Sequence, residues 1–313
     1  VLYSTRTPAQ KREDLRALLR PGAAQPFPGA FTPLSVCLIQ EQGFPGAYIS
    51  GAVIANELGL PDIGLTTLGE VAARGAQIAR STDLPCLIDA DTGFGEPMNV
   101  ARTVQELEDA GLAGCHIEDQ VNPKRCGHLD GKATVDTATA VQRIRAAVDA
   151  RRDPNFLVMA RTDLRAGAGL DAAIERARAL VDAGADAIFP EAMADLSEFE
   201  AVCSAVDVPV LANMTEFGKS PLFTREQLAA TGVALVIYPV TLLRTAMGAI
   251  ERVLQTIRTE GSQAPHVDEM LTRARLYDLV DYEAYNRFDT GIFDFEIPRD
   301  RGTDAPTQNR SES

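Results

Sequence analysis

Apolar runs of four to six residues recur along the chain, each followed by a polar or glycine-bearing loop and then a longer stretch with apolar positions three and four apart. The short runs predict strands and the longer ones amphipathic helices. Strands are predicted at 47–50, 86–90, 114–118, 156–161, 187–190, 210–213 and 235–238, with a weaker first one near Phe27. Helices are predicted at 6–19, 34–42, 68–80, 100–110, 135–150, 170–183 and 224–230. Eight strands alternating with helices argue for an α/β fold of the (β/α)8 TIM-barrel type over a doubly wound sheet. After the last strand the pattern adds a long helix at 241–258, a Gly/Ser/Pro break and more helix at 267–282, which a closed barrel of eight units does not need.

A flat length prior for 313 residues suggests two domains, but an α/β barrel uses roughly 200–250 residues or more as one. The reading is therefore one barrel domain over residues 1–295, with an N-terminal helix and a C-terminal helical extension. The polar segment 296–313 is expected to be a disordered tail.

In such barrels the active site lies at the C-terminal ends of the strands. Polar groups gather at those positions here: Ser50, Asp89 with Asp91, Glu118, Arg161 with Asp163, Glu191, and Asn213 with Thr215. Within LIDAD the strand period of two puts Asp89 and Asp91 on one face and Ile88 with Ala90 on the other. Two carboxylates so close repel unless a cation lies between them, and an all-oxygen donor set suits Mg²⁺ or Mn²⁺. An Asp-bearing surface turn is the alternative. The same parity puts His116 and Glu118 on one face, Glu118 placed to hold a metal-bound water and His116 as a hydrogen-bonded core histidine.

Cys126 lies among Lys124, Arg125 and His128, and positive neighbours favour the thiolate. It can therefore exchange a proton near neutrality, although an incidental loop cysteine, or a zinc site with Cys115, His116 and His128, also fits the motif. Arg161, Arg244 and Arg273 are candidate carboxylate clamps, because a guanidinium can hold a carboxylate through two parallel hydrogen bonds.

A net charge of −14 argues against nucleic acid or an anionic membrane as partner, so an anionic substrate needs a local arginine cluster. No apolar run approaches the roughly 18 residues of a membrane span, and the charged stretch TRTPAQKREDLRALLR has no signal-peptide core. Five cysteines without paired spacing argue for a reducing, cytoplasmic setting.

Taken together, these segments resemble the isocitrate lyase and phosphoenolpyruvate mutase superfamily. The resemblance is carried by YISG from Tyr48, LGLPDIGLTTL from Leu58, DADTGFG from Asp89, NVARTV from Asn99 and HIEDQ from His116. It continues through KRCGH from Lys124, MARTD from Met159, FPEA from Phe189 and LANMTEFGKSPLF from Leu211, in the family's order. KRCGH points to the lyase branch, and NMTEFG with the short chain to its methylisocitrate-cleaving members. Two departures stand out: Ala52-Val53 where many members carry more glycines, and Leu129-Asp130-Gly131-Lys132 in place of a more basic run.

The resemblance implies retro-aldol cleavage of 2-methylisocitrate to pyruvate and succinate, as in propionate catabolism through the methylcitrate cycle, with Mg²⁺ required and Mn²⁺ a substitute. It implies metal held by Asp89 and Asp91, with Asp62 and Glu118 acting through water. Ser50, Gly51, Ala52 and Arg161 would bind the pyruvate end. Glu191, Asn213, Met214, Thr215, Arg244 and Arg273 would line the remainder, with Cys126 and Gly127 closing over it. Cys126 would act as general acid and Tyr48 as proton relay. A homodimer exchanging a C-terminal helix, and two dimers forming a homotetramer, are also implied. A relative acting on isocitrate or another 2-oxo or 2-hydroxy acid, and a non-catalytic dicarboxylate-binding barrel, are the alternative readings.

Overall fold

The computed structural model describes residues 4–125 and 132–294. The chain enters through α1 (Pro8–Leu18), fixed by a reciprocal cap in which the Thr7 hydroxyl accepts from the Gln10 N–H and the Gln10 side chain accepts from the Thr7 N–H. Then come β1 (Gln25–Pro28), α2 (Pro33–Glu41), β2 (Ala47–Ile49), α3 (Gly51–Glu57), α4 (Leu68–Ala79), β3 (Cys86–Asp89), α5 (Pro97–Asp109) and β4 (Gly114–Glu118). The second half runs α6 (Thr137–Ala150), β5 (Leu157–Thr162), α7 (Arg165–Ala168), α8 (Leu170–Asp182), β6 (Ala187–Pro190), α9 (Leu196–Ala205), β7 (Leu211–Asn213), α10 (Arg225–Ala230) and β8 (Leu235–Tyr238). Beyond it lie α11 (Thr241–Glu260), a 3-10 turn (Ala264–Glu269), α12 (Arg273–Leu279) and α13 (Tyr282–Phe293).

All strand pairs are parallel, in the orders β2-β3-β4-β5-β6 and β1-β8-β7. Two further parallel bridges, Gly29 with Tyr48 and Ile188 with Val210, join these sheets at both edges and close the ring. The chain is thus the expected barrel. Gly29 is required where β1 passes β8, since a Cβ there would lie 2.0 Å from the carbonyl oxygen of Pro239.

Strand alternation divides the apolar residues between two cores. Outward residues such as Ile88, Cys115, Ile117 and Val158 pack against the helices. Inward residues such as Phe27, Tyr48, Leu87, Met159 and Phe189 fill the barrel. Above this inner layer the inward positions turn polar, which places the chemistry at the C-terminal ends of the strands.

All eight predicted strands are present, displaced by at most one residue at an end. The helices α3, α7 and α9 were not predicted. α3 and α7 span only seven and four residues, and α9 buries only Phe199 and Val202. The extension at 267–282 proves to be a 3-10 turn and two helices reaching Phe293, with Asp281 in a left-handed conformation (φ 53°) separating α12 from α13. The tail expected at 296–313 lies outside the described residues.

Helix α11 has no buried residue and presents Met247, Ile250, Leu254 and Ile257 to solvent, while α13 presents Tyr285, Phe288 and Ile292. Among the described residues no helix is long and apolar enough to cross a membrane.

Candidate active site

The two aspartates come together by a turn as well as by strand parity. Asp89 ends β3 facing inward, but Asp91 lies beyond the strand with φ of 46°. The backbone curls here: the Asp91 N–H donates to Asp89 Oδ1 at 3.0 Å, and Gly93, Phe94 and Gly95 all follow with positive φ. From the neighbouring strand exit the Gly51 N–H donates to Asp89 Oδ2 at 3.1 Å. Glycine fits this approach, since a Cβ at position 51 would lie 2.9 Å from Asp89 Oδ2 and 3.2 Å from Asp91 Oδ1. Ser50, Gly51 and Ala52 therefore form the entry to α3, pressed against the aspartates.

Burial opposes ionisation of Asp89, yet the adjacent His116, then Lys124, Arg161 and the Asp91 N–H, outweigh it and hold its carboxyl below the usual range. For Asp91 burial wins, aided by the Asp89 charge against the opposing Lys124, and pushes the pKa up to about 6. Glu118 is pushed well above the usual range by burial, and neither of its oxygens has a hydrogen-bond donor among the described residues.

Beneath the acids, His116 Nε2 lies 2.7 Å from the Tyr48 hydroxyl and 3.6 Å from Asp89 Oδ1. Its ring stacks on Tyr48 and meets Phe189 edge-on, and burial lowers its pKa to about 4. It is thus the neutral, hydrogen-bonded core histidine expected, now seen to hold the Tyr48 phenol in place.

Arg161 ties three strands together. Its Nε and Nη2 donate to Asp163 at 3.0 and 3.1 Å, Nε lies 3.3 Å from Glu118, and Nη2 lies 3.1 Å from Glu191. The guanidinium also covers the face of Phe189 at 5.0 Å. Asn213 reaches Glu191 at 3.4 Å, and Met214 is buried behind it, its sulfur accepting from the Phe223 N–H.

Tyr48, Ser50, Ala52, Asp62, Asp89, Arg161, Glu191, Asn213 and Thr215 line one cavity, so most of the residues singled out in the sequence converge. Arg244 sits at its rim, hydrogen-bonded to Thr215 at 3.3 Å. Arg273 does not join them: it is exposed at the start of α12, and in the same turn Arg275 fastens that helix to α2 on the barrel's outer wall through an ion pair with Glu41. Cys126 and Gly127 lie outside the described residues.

Lys124 was read only as a positive neighbour of Cys126, but it is a wall residue. It is buried, with its ammonium in contact with Asp62 and 2.7 Å from Asp91. Surrounding carboxylates raise its pKa well above the usual value despite the burial that opposes them. Asp163 and Lys132, 2.6 Å apart, complete the lining behind Arg161.

Among the described residues, six carboxylates (Asp62, Asp89, Asp91, Glu118, Asp163 and Glu191) thus meet three cations (Lys124, Lys132 and Arg161). This excess of buried negative charge, with Glu118 oxygens lacking donors, fits a hard divalent cation. Among the described residues no three His, Cys, Asp or Glu side chains converge as a ready-made metal shell.

A parallel barrel with a buried acidic and arginine-bearing cavity at its strand exits defines an α/β-barrel enzyme for a small-molecule substrate. The sequence matches the phosphoenolpyruvate phosphomutase family over residues 15–258. It is 58% identical over 288 residues to the probable 2-methylisocitrate lyase 2 of Corynebacterium glutamicum, covering 92% of this chain and 94% of the relative. Among solved structures, oxaloacetate acetylhydrolase with 3,3-difluorooxalacetate superposes with a TM-score of 0.87 at 33% identity, over 93% of this chain and 100% of that one. Phosphonopyruvate hydrolase in complex with oxalate and Mg²⁺ superposes with a TM-score of 0.81 at 29% identity, over 91% and 99%. The chain belongs to the phosphoenolpyruvate mutase and isocitrate lyase superfamily.

Proposed function

We propose that the protein is a Mg²⁺-dependent carbon–carbon lyase that cleaves 2-methylisocitrate to pyruvate and succinate in the cytoplasm. The observation that carries the metal chemistry is the cavity in which carboxylates outnumber cations beside a buried arginine. The 58% identity to the Corynebacterium relative supports this substrate over others used in the superfamily.

Asp89 and Asp91 would hold Mg²⁺, with Asp62 and Glu118 acting through water; Mn²⁺ would serve in its place. When bound, the ion polarises the substrate hydroxyl and adjacent carboxylate and stabilises charge on the forming carbonyl oxygen. Ser50, Gly51, Ala52 and Arg161 orient the pyruvate half. Tyr48, aimed by His116, relays the proton leaving the hydroxyl as the carbon–carbon bond breaks. The electron pair passes to the succinate half, whose carboxylates are held by Asn213, Thr215 and Arg244, with Glu191 and Met214 shaping the wall; Arg273, on α12 away from this cavity, takes no part. Cys126 donates the proton that completes succinate, with Gly127 beside it.

A product assay tests this directly. With Mg²⁺ and racemic 2-methylisocitrate we expect pyruvate and succinate in equal amounts, and slower glyoxylate release from isocitrate. Glyoxylate as the faster product, or acetate and oxalate from oxaloacetate, would reassign the substrate. In the same assay Cys126→Ser is expected to lose about a hundredfold in turnover, within the range for a general acid. Turnover near the wild-type rate would remove Cys126 from the mechanism.

The apolar residues that α11 and α13 present to solvent support a homodimer that exchanges a C-terminal helix and assembles further to a tetramer. Light scattering on the full chain is expected to give four protomers. A monomer at micromolar concentration would contradict this.

A further inference from the structure

The rim of the cavity carries a side-chain cluster around Arg244, of which the mechanism above uses Arg244 and Thr215 but not Glu216, Phe217 or Thr241. Glu216 follows Thr215 in the loop after β7, and Thr241 and Arg244 lie in the first turn of α11, directly after the cavity-lining Val240. Arg244 Nη1 donates to Glu216 Oε2 at 2.9 Å, to the Glu216 carbonyl oxygen at 2.8 Å and to Thr215 Oγ1 at 3.3 Å. The other carboxylate oxygen of Glu216, Oε1, accepts a short hydrogen bond from the Thr241 hydroxyl. The guanidinium also stacks on the Phe217 ring at 5.5 Å, and Phe217 is held in a left-handed conformation (φ 58°).

Every one of these bonds uses Nη1. The Nε–Nη2 edge, the pair of donors that binds a carboxylate through two parallel hydrogen bonds, has no partner among the described residues. The other cations of the cavity wall are differently placed, because Lys124 and Arg161 already face carboxylates of the wall. Arg244, beside the cavity-lining Thr215, thus has a bidentate edge that no described residue occupies and an opposite corner that is clamped.

We infer that Glu216 is a positioning residue for substrate carboxylate binding: with Thr241 and Phe217 it fixes Arg244 by one corner, so that the Nε–Nη2 edge is presented to a carboxylate at the mouth. This rests on the reading of the cavity as a di- or tricarboxylate site. A guanidinium on a long side chain loses rotamer freedom when it binds, and a clamp set before the ligand arrives removes that cost from the binding step. The opposite role, in which Glu216 competes with the ligand for Arg244, predicts the reverse effect on affinity.

The test is calorimetric titration of the Mg²⁺-loaded full chain with succinate. Glu216→Gln is expected to weaken succinate roughly tenfold, Arg244→Ala at least as much, and the double variant no more than Arg244→Ala alone, the scale being that of a hydrogen bond to a charged group. Thr241→Ser is expected to bind like the wild type and Thr241→Val to lose a few-fold, which keeps the inference testable if Glu216→Gln misfolds. Tighter or unchanged binding by Glu216→Gln, losses that add in the double variant, or no succinate binding by the wild type would each overturn it. Pyruvate release from 2-methylisocitrate by the same wild-type preparation reports separately on the lyase reading. Its absence would remove that reading and leave the comparison of succinate affinities decisive for Glu216.

Discussion

Asp89→Asn is expected to lower Mg²⁺-supported turnover by roughly 10³-fold or more, the scale seen when a pre-placed group that stabilises developing charge is removed. Both carboxylate oxygens of Asp89 accept backbone N–H groups, from Asp91 at 3.0 Å and from Gly51 at 3.1 Å. An asparagine matches the shape, but its NH₂ must then face one of these donors, and a buried N–H goes unsatisfied at a cost of about 1–3 kcal/mol. The substitution also removes a negative charge that Lys124 and Arg161 help to keep ionised against the penalty of burial. The measurement is a Mg²⁺ titration of activity beside calorimetry of Mg²⁺ binding, with denaturation midpoints to separate folding from function. A wild-type Mg²⁺ response in this variant would remove Asp89 from the metal site.

Asp89 also shows what strand parity can and cannot reveal. Alternation correctly put Asp89, His116 and Glu118 inside the barrel, because each lies on a regular strand with apolar neighbours turned outward to the helices. Asp91 reached the same point by another route: it sits past the strand, and its positive φ folds its carboxylate back beside the first. The pairing was legible, and so were the glycines of a turn after it, but not that the turn begins at Asp91 itself.

Lys124 was hidden for a different reason. Its role depends on Asp62 and Asp91, 62 and 33 residues earlier, being brought to the same point by separate strand exits. Local reading could assign it only to the cysteine beside it. Arg273 failed in the opposite sense, since the resemblance placed it at the pocket while α12 docks on α2. Where a helical extension packs is decided by a few contacts between distant segments, and nothing in its own periodicity encodes them. The strands needed no such information, because each apolar run carries its own burial signal and its own polar exit.

Arg161→Met is expected to cost about 3–5 kcal/mol of folding stability at neutral pH, the range for removing one partner of a buried ion cluster. The guanidinium faces Glu118, Asp163 and Glu191 at 3.0–3.3 Å, all deeply buried, so its loss leaves three carboxylates with less compensation. Burial already raises the pKa of Glu118 well above normal, with Arg161 the first of the charges opposing it. Removing Arg161 therefore raises it further. A carboxyl whose folded-state pKa exceeds its unfolded value adds stability while protonated, and loses it as pH rises through the folded pKa. The deficit of the variant against wild type should accordingly be smallest at low pH and grow as pH rises through the folded-state pKa of Glu118. Arg161→Lys keeps the charge but loses the two-point contact with Asp163, so its deficit should be smaller and depend less on pH. Denaturant unfolding of the three proteins at pH 5 and pH 8 measures this, and an equal deficit for Arg161→Met at both values would show that the lost interaction is packing against Phe189 and not the neutralisation of buried acids.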